Sequence, residues 1–158
     1  MGRIILGVAV ALLGAIAAQA VANYLSNLVY PAPPVANPFD QAGVAAAFAM
    51  RSTGNVALTS LSYFFGALAG GWAGGAIARR RWAAWVAAGV MLLFGLIVVL
   101  SFPNPGWATA LTLIGPIAAA LIVRRLLPDD PVSPDDSELA GDTAPGVSLA
   151  KERDIGPV

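Results

Sequence analysis

The chain contains no cysteine and no histidine among its 158 residues. Without them it cannot form disulfide bonds, cysteine-based zinc or iron–sulfur sites, or haem ligation through either residue. Thiol catalysis and Ser-His-Asp chemistry are excluded for the same reason. We therefore expect neither a metal site nor a cofactor.

Charge is also scarce. Charged residues make up 11% of the chain and hydrophobic residues 58%, whereas soluble domains carry about 25% charged residues. No glycine-rich nucleotide-binding loop is present. The three arginines at 79–81 are too few, and too closely flanked by apolar residues, to indicate nucleic-acid binding. The composition therefore indicates a protein of the lipid bilayer.

Four apolar stretches are long enough, or nearly so, to cross a membrane. The hydrocarbon core of about 30 Å needs roughly 20 helical residues, and the predicted helices are at about 4–30, 56–78, 82–102 and 107–127. Backbone polar groups cannot stay unpaired in lipid, so each stretch should be helical. The predicted fold is an all-α membrane protein in which residues 1–127 form an antiparallel four-transmembrane-helix bundle.

The arginines predict how these spans are oriented. Six of the seven within residues 1–127 fall on one side of the membrane: Arg3, Arg79, Arg80, Arg81, Arg124 and Arg125. Only Arg51 falls on the other side, so the positive-inside rule places both termini in the cytoplasm. The expected location is a bacterial cytoplasmic (inner) membrane. Cleavage of a signal peptide after Ala18-Gln19-Ala20 stays open as an alternative.

Two segments lie outside the predicted spans. The outer loop, 31–55, is rich in proline, and Asp40 is placed to cap a short surface helix over 40–51, although a plain loop fits the pattern as well. Residues 128–158 hold eight acids against Lys151 and Arg153. This composition predicts a disordered acidic cytoplasmic tail, either solubilising or partner-binding.

Small residues recur every fourth position in the first two spans. Helices in lipid associate through close contact between such residues. The predicted packing residues are Gly7 and Gly14 in the first span, and Gly66, Gly70, Gly71, Gly74 and Gly75 in the second. We expect these two spans to cross closely. If the glycines are not used within the monomer, they should mediate a homo-oligomer.

Uncharged polar residues concentrate toward the outer side of the membrane. The candidates are Gln19, Asn23, Asn27, Thr59, Ser62, Tyr63, Thr109 and Thr112. Buried amides and hydroxyls need hydrogen-bond partners. One interpretation is an outward-opening polar pocket among the first, second and fourth spans. The other is hydrogen bonding between helices near the membrane surface.

Three segments carry a resemblance to other proteins: Tyr30–Pro34 followed by Asp40, Leu61–Gly71 leading into Arg79 and Arg80, and Pro103–Trp107. In these segments the chain resembles a group of short, uncharacterised bacterial four-helix integral membrane proteins. The resemblance covers about residues 1–127. It implies the four-span topology and brings no activity with it.

The expected function follows from these absences and patterns. No charged residue lies inside a span, which disfavours proton- or ion-coupled transport. We expect a non-enzymatic membrane protein with a structural, assembly or accessory role, whose partner is another copy or another membrane protein. The alternative is a small oligomeric channel or permease for a neutral solute.

Overall fold

The computed structural model describes residues 2–35, 37 and 39–128, and within them all regular structure is helical. Five helices follow one another along the chain: α1 (Gly2–Val29), α2 (Gln41–Ala49), α3 (Thr53–Ala78), α4 (Ala83–Ser101) and α5 (Gly106–Leu126). The predicted all-α class is confirmed. The predicted disordered tail, apart from Pro128, lies outside the described residues.

Four of these helices have membrane-spanning length and composition. α1, α3, α4 and α5 contain 28, 26, 19 and 21 residues, which is about 28 to 42 Å at 1.5 Å per residue. Large apolar side chains such as Leu13, Leu93 and Leu100 point outward, with 69%, 58% and 78% of their surface exposed. A helix bundle with such a surface is a multi-pass membrane protein.

Helix α3 lies at the centre of the bundle. It packs against α1, α4 and α5, while α1 and α4 touch each other and so do α4 and α5. Among the described helices, α1 and α5 make no contact, because α3 and α4 lie between them. This arrangement decides which polar residues can meet.

The crossing of α1 and α3 depends on glycine. A methyl group added at Gly70 would lie 2.5 Å from both the carbonyl oxygen of Ala11 and the backbone nitrogen of Ala15. One added at Gly74 would lie 2.6 Å from the carbonyl oxygen of Gly7. Such distances are well inside van der Waals contact, so the two backbones can approach this closely only where α3 has no side chain.

The other small residues face different neighbours. Gly66 also lies against α1, near Ala15 and Gln19, and Gly14 approaches Gly70 with ordinary spacing. Gly71 faces Ala84 of α4. Gly75 faces Leu127, just beyond the end of α5, so the glycines serve three interfaces of α3 rather than one.

The ends of the bundle differ in charge. We call the end with Arg3, Arg79–Arg81 and Arg124–Arg125 the basic end. The opposite end, with residues 30–35, 37, 39–52 and 102–105, is the loop end. At the basic end the Nε of Arg81 donates to the carbonyl oxygens of Leu127 and Pro128, each at 3.1 Å. This side chain ties the α3–α4 turn to the end of α5.

Candidate functional site

Buried polar side chains gather at the loop end, where α1 meets the start of α3. Asn55 is fully buried. Its Nδ2 donates to Oδ1 of Asn27 at 3.0 Å and to the carbonyl oxygen of Tyr30 at 2.6 Å. Ser52 caps α3 by accepting from the backbone N–H of Asn55 at 3.2 Å. The same asparagine therefore holds the last turn of α1 against the first turn of α3.

One turn deeper, a second pair repeats this connection. The hydroxyl of Thr59 donates to Oδ1 of Asn23 at 3.2 Å. Because α1 and α3 are antiparallel, four residues back along α1 match four residues forward along α3. Gln19, four residues before Asn23 on α1, lies beside Gly66 of α3. Ser62 is buried and donates within its own helix, to the carbonyl oxygen of Thr59 at 2.6 Å.

A separate group surrounds a small cavity on the other side of α3. Ser60 and Tyr63 of α3 line it together with Thr112 of α5, and each is at least 95% buried. Thr59 also contributes, so it belongs to both groups. The cavity holds about 20 Å³, which is space for one water molecule. Hydroxyl groups around one water can exchange hydrogen bonds, but the space is too small for a solute.

An aromatic stack covers this cavity at the loop end. The guanidinium carbon of Arg51 lies 3.7 Å from the centre of the Phe48 ring. That ring stacks in turn on Phe102, with centres 4.1 Å apart and planes 11° from parallel. Burial lowers the pKa of Arg51, an effect that the nearby Tyr63 opposes. The stack attaches α2 to the end of α4.

The predicted site residues thus fall into two groups rather than lining one pocket. Asn23 and Asn27 pair with α3, whereas Tyr63 and Thr112 meet on the far side of it. The physical reason is that α1 and α5 do not touch. Thr109 is partly buried on α5 and is not among the residues that line the cavity.

Sequence reasoning missed Asn55, the residue that organises the first group. It lies before the predicted start of the second span, within the predicted outer loop 31–55. One signal could have found it. Asn55 and Thr59 are four apart, as are Asn23 and Asn27, and in antiparallel helices two such pairs match each other. The roles of Phe48 and Arg51 carried no comparable signal.

Two buried polar atoms lack a hydrogen-bond partner within the described part of the chain: Oδ1 of Asn55 and Oγ of Ser26. Ser26 is 1% exposed and lines an apolar groove of about 560 Å³ between α1 and α3. Ala18, Ala22 and Leu58 line the same groove. An unpaired buried hydroxyl is unfavourable.

Comparison with protein-family models, with curated proteins and with solved structures returned no match. The described residues contain no group of three or more acidic side chains that could hold a metal ion. The site must be interpreted from its own geometry.

Proposed function

We propose that this chain is a non-enzymatic protein of a bacterial cytoplasmic membrane, with both termini in the cytoplasm and a structural or accessory role. The arginine distribution supports the orientation, because six of the seven described arginines lie at the basic end. The resemblance to short bacterial four-helix membrane proteins supports the same topology. Its paired interior hydroxyls and amides stabilise the bundle rather than carry out a reaction.

The observation that carries the accessory role is the groove between α1 and α3. Ala18, Ala22 and Ser26 are four residues apart, so they present a flat stripe that another helix can approach closely. The buried hydroxyl of Ser26 has no partner among the described residues. The groove therefore fits a transmembrane helix from a partner.

Photo-crosslinking in native membranes tests this role. The chain has no cysteine, so a benzophenone attached through Val21→Cys probes the groove alone. Leu93→Cys on α4 is the matched control, since both positions are 58% exposed and Leu93 lies outside the groove. We expect a single crosslinked species from the groove position, lost when Ala22→Phe fills the groove.

The mass of the crosslinked species distinguishes a second copy from a different protein. Equal crosslinking from both positions, or only lipid adducts from each, would contradict the accessory role. Ala22→Phe should leave the bundle folded, because Ala22 lies at the groove and not in the glycine crossing.

A permease for a neutral solute is the second candidate, and the polar cavity under Arg51 favours it. At about 20 Å³ the cavity admits one water, so passage of a solute needs the Arg51–Phe48–Phe102 stack to move. Glycerol or urea flux into vesicles that contain only this protein tests the idea. Saturable flux that rises with Phe48→Ala and falls with Thr112→Val supports it. Flux equal to that of empty vesicles excludes it.

A further inference from the structure

A second groove lies at the basic end, between α3 and the end of α5. Its volume is about 630 Å³. Trp72, Gly75, Ala76 and Arg79 form the α3 side, and Leu126, Leu127 and Pro128 form the other. It opens at the level where the apolar surface of the bundle gives way to arginine. This groove is distinct from the polar site at the loop end.

The shape of the groove follows from residue size and one hydrogen-bonded anchor. Leu127 covers Gly75, so the floor of the groove on α3 is the small, exposed Ala76, while Trp72 stands out from the helix with 56% of its surface exposed. On the opposite wall, Arg81 holds the carbonyl oxygens of Leu127 and Pro128. These hydrogen bonds fix the position of that wall. On α3 the lining residues run from Arg79, at the end of the helix, back to Trp72.

The groove has apolar lining around Trp72 and Ala76 and a cation, Arg79, at its mouth. Arg79 is seven residues after Trp72, so the two lie on one face of α3, about 10 Å apart along its axis. Arg79 ends α3 with a left-handed backbone, φ 52°. The one acid within residues 2–128 is Asp40, at the loop end. No carboxylate of the described chain is therefore available to neutralise Arg79.

We propose that this groove binds an anionic phospholipid. The lipid phosphate lies against the guanidinium of Arg79, and one acyl chain follows Ala76 past Trp72. The charge of the mouth matches a phosphate, and the lining matches a hydrocarbon chain. Basic recesses between transmembrane helices on the cytoplasmic side bind anionic headgroups in this way. The site is independent of any partner at the α1–α3 groove.

Quenching of Trp72 fluorescence tests the site in the full-length chain. Trp82→Phe, Trp85→Phe and Trp107→Phe leave Trp72 as the single reporter. This variant is placed in vesicles of phosphatidylcholine with a minor fraction of brominated lipid, either phosphatidylglycerol or phosphatidylcholine. We take Arg79 to attract anionic lipid as strongly as a single arginine does at other membrane surfaces. On that basis we expect the anionic lipid to be enriched about fivefold next to Trp72.

Two variants distinguish a site from general attraction to the basic end. Arg79→Gln should abolish the preference. Arg125→Gln removes the same charge at the same end of the bundle but lies outside the groove, so the preference should remain. Ala76→Leu should reduce quenching by filling the recess. Equal quenching by both lipids, or equal loss in both arginine variants, overturns the proposal.

The chain's own acidic segment after Pro128 is the competing occupant, beginning with Asp129 and Asp130. A preference for phosphatidylglycerol that appears only in the Asp129→Asn/Asp130→Asn variant would assign the groove to that segment. That result also overturns the lipid site. A preference for phosphatidylglycerol in the chain with its unmodified tail supports the lipid site.

Discussion

Replacing Gly70 with alanine adds a single methyl group at the tightest point of the α1–α3 crossing. The atoms that it would meet are the carbonyl oxygen of Ala11, the nitrogen of Ala15 and the Cβ of Ala15, at 2.5, 2.5 and 2.6 Å. Two of the three belong to the backbone and the third is attached directly to it. No rotamer change can move them, so the two helices must separate.

Two opposing effects set the size of the change. Alanine in place of glycine stabilises a helix by about 0.8–1.0 kcal/mol. Forcing an extra carbon into a packed interior costs about 1–3 kcal/mol, and here contact at 2.5 Å must relax by about 1 Å to reach ordinary separation. We therefore expect Gly70→Ala to lower the free energy of unfolding by up to about 2 kcal/mol, which places it about 1–3 kcal/mol below a glycine-to-alanine change that meets no neighbour.

Gly89 on α4 supplies the matched control. A methyl group there meets nothing within 4 Å, so Gly89→Ala retains only the helix-propensity gain of about 1 kcal/mol. Gly14→Ala is a second control inside the same crossing. Its added methyl would meet the Cα of Gly70 at 3.5 Å, an ordinary contact. We expect both controls to be at least as stable as the unmodified chain.

Unfolding in mixed micelles, followed by energy transfer between dyes on α1 and α3, measures these differences. Engineered cysteines at Leu13 and Ala69 are unique attachment sites, because the chain has none of its own. If Gly70→Ala proved as stable as Gly89→Ala, the close crossing of α1 and α3 would be wrong. Loss of stability in all three variants would point to a general intolerance of alanine instead.

Three further predictions concern the loop end and the α1–α3 groove. A double-mutant cycle of Asn23→Leu and Thr59→Val should give a coupling free energy of about 0.6 kcal/mol, typical of hydrogen bonds between membrane helices. If the two effects on stability simply add, Asn23 and Thr59 do not form this hydrogen bond. Arg51→Met should weaken the docking of α2 by about 0.5–1 kcal/mol, seen as faster hydrogen exchange in residues 41–49 with α1 and α5 unchanged. Ser26→Ala should leave the isolated monomer at equal or higher stability, because the lost hydroxyl has no described partner; a large loss of stability would show that the hydroxyl is paired within the bundle.

The sequence predicts most of the residues of the candidate site, but it does not predict that they form two separate groups. The sequence predicts that Asn23, Asn27, Thr59, Tyr63 and Thr112 all lie toward the outer side of the membrane. Depth follows from counting residues along a helix. The helix against which a polar face packs depends on how the other helices are arranged around α3. The periodicity of residues within one helix does not contain this information.

The sequence by itself determined that this is an all-helical chain with four membrane-length spans. Length and apolar composition suffice for this, because lipid leaves the backbone no alternative to the helix. Only the tertiary structure decided that Gly66, Gly70 and Gly74 face α1, while Gly71 faces α4 and Gly75 faces Leu127. It also decided that Asn55 joins α1 and that Arg51 covers a cavity of one water. These contacts depend on the rotation of each helix about its own axis, which is set by packing against all of its neighbours at once.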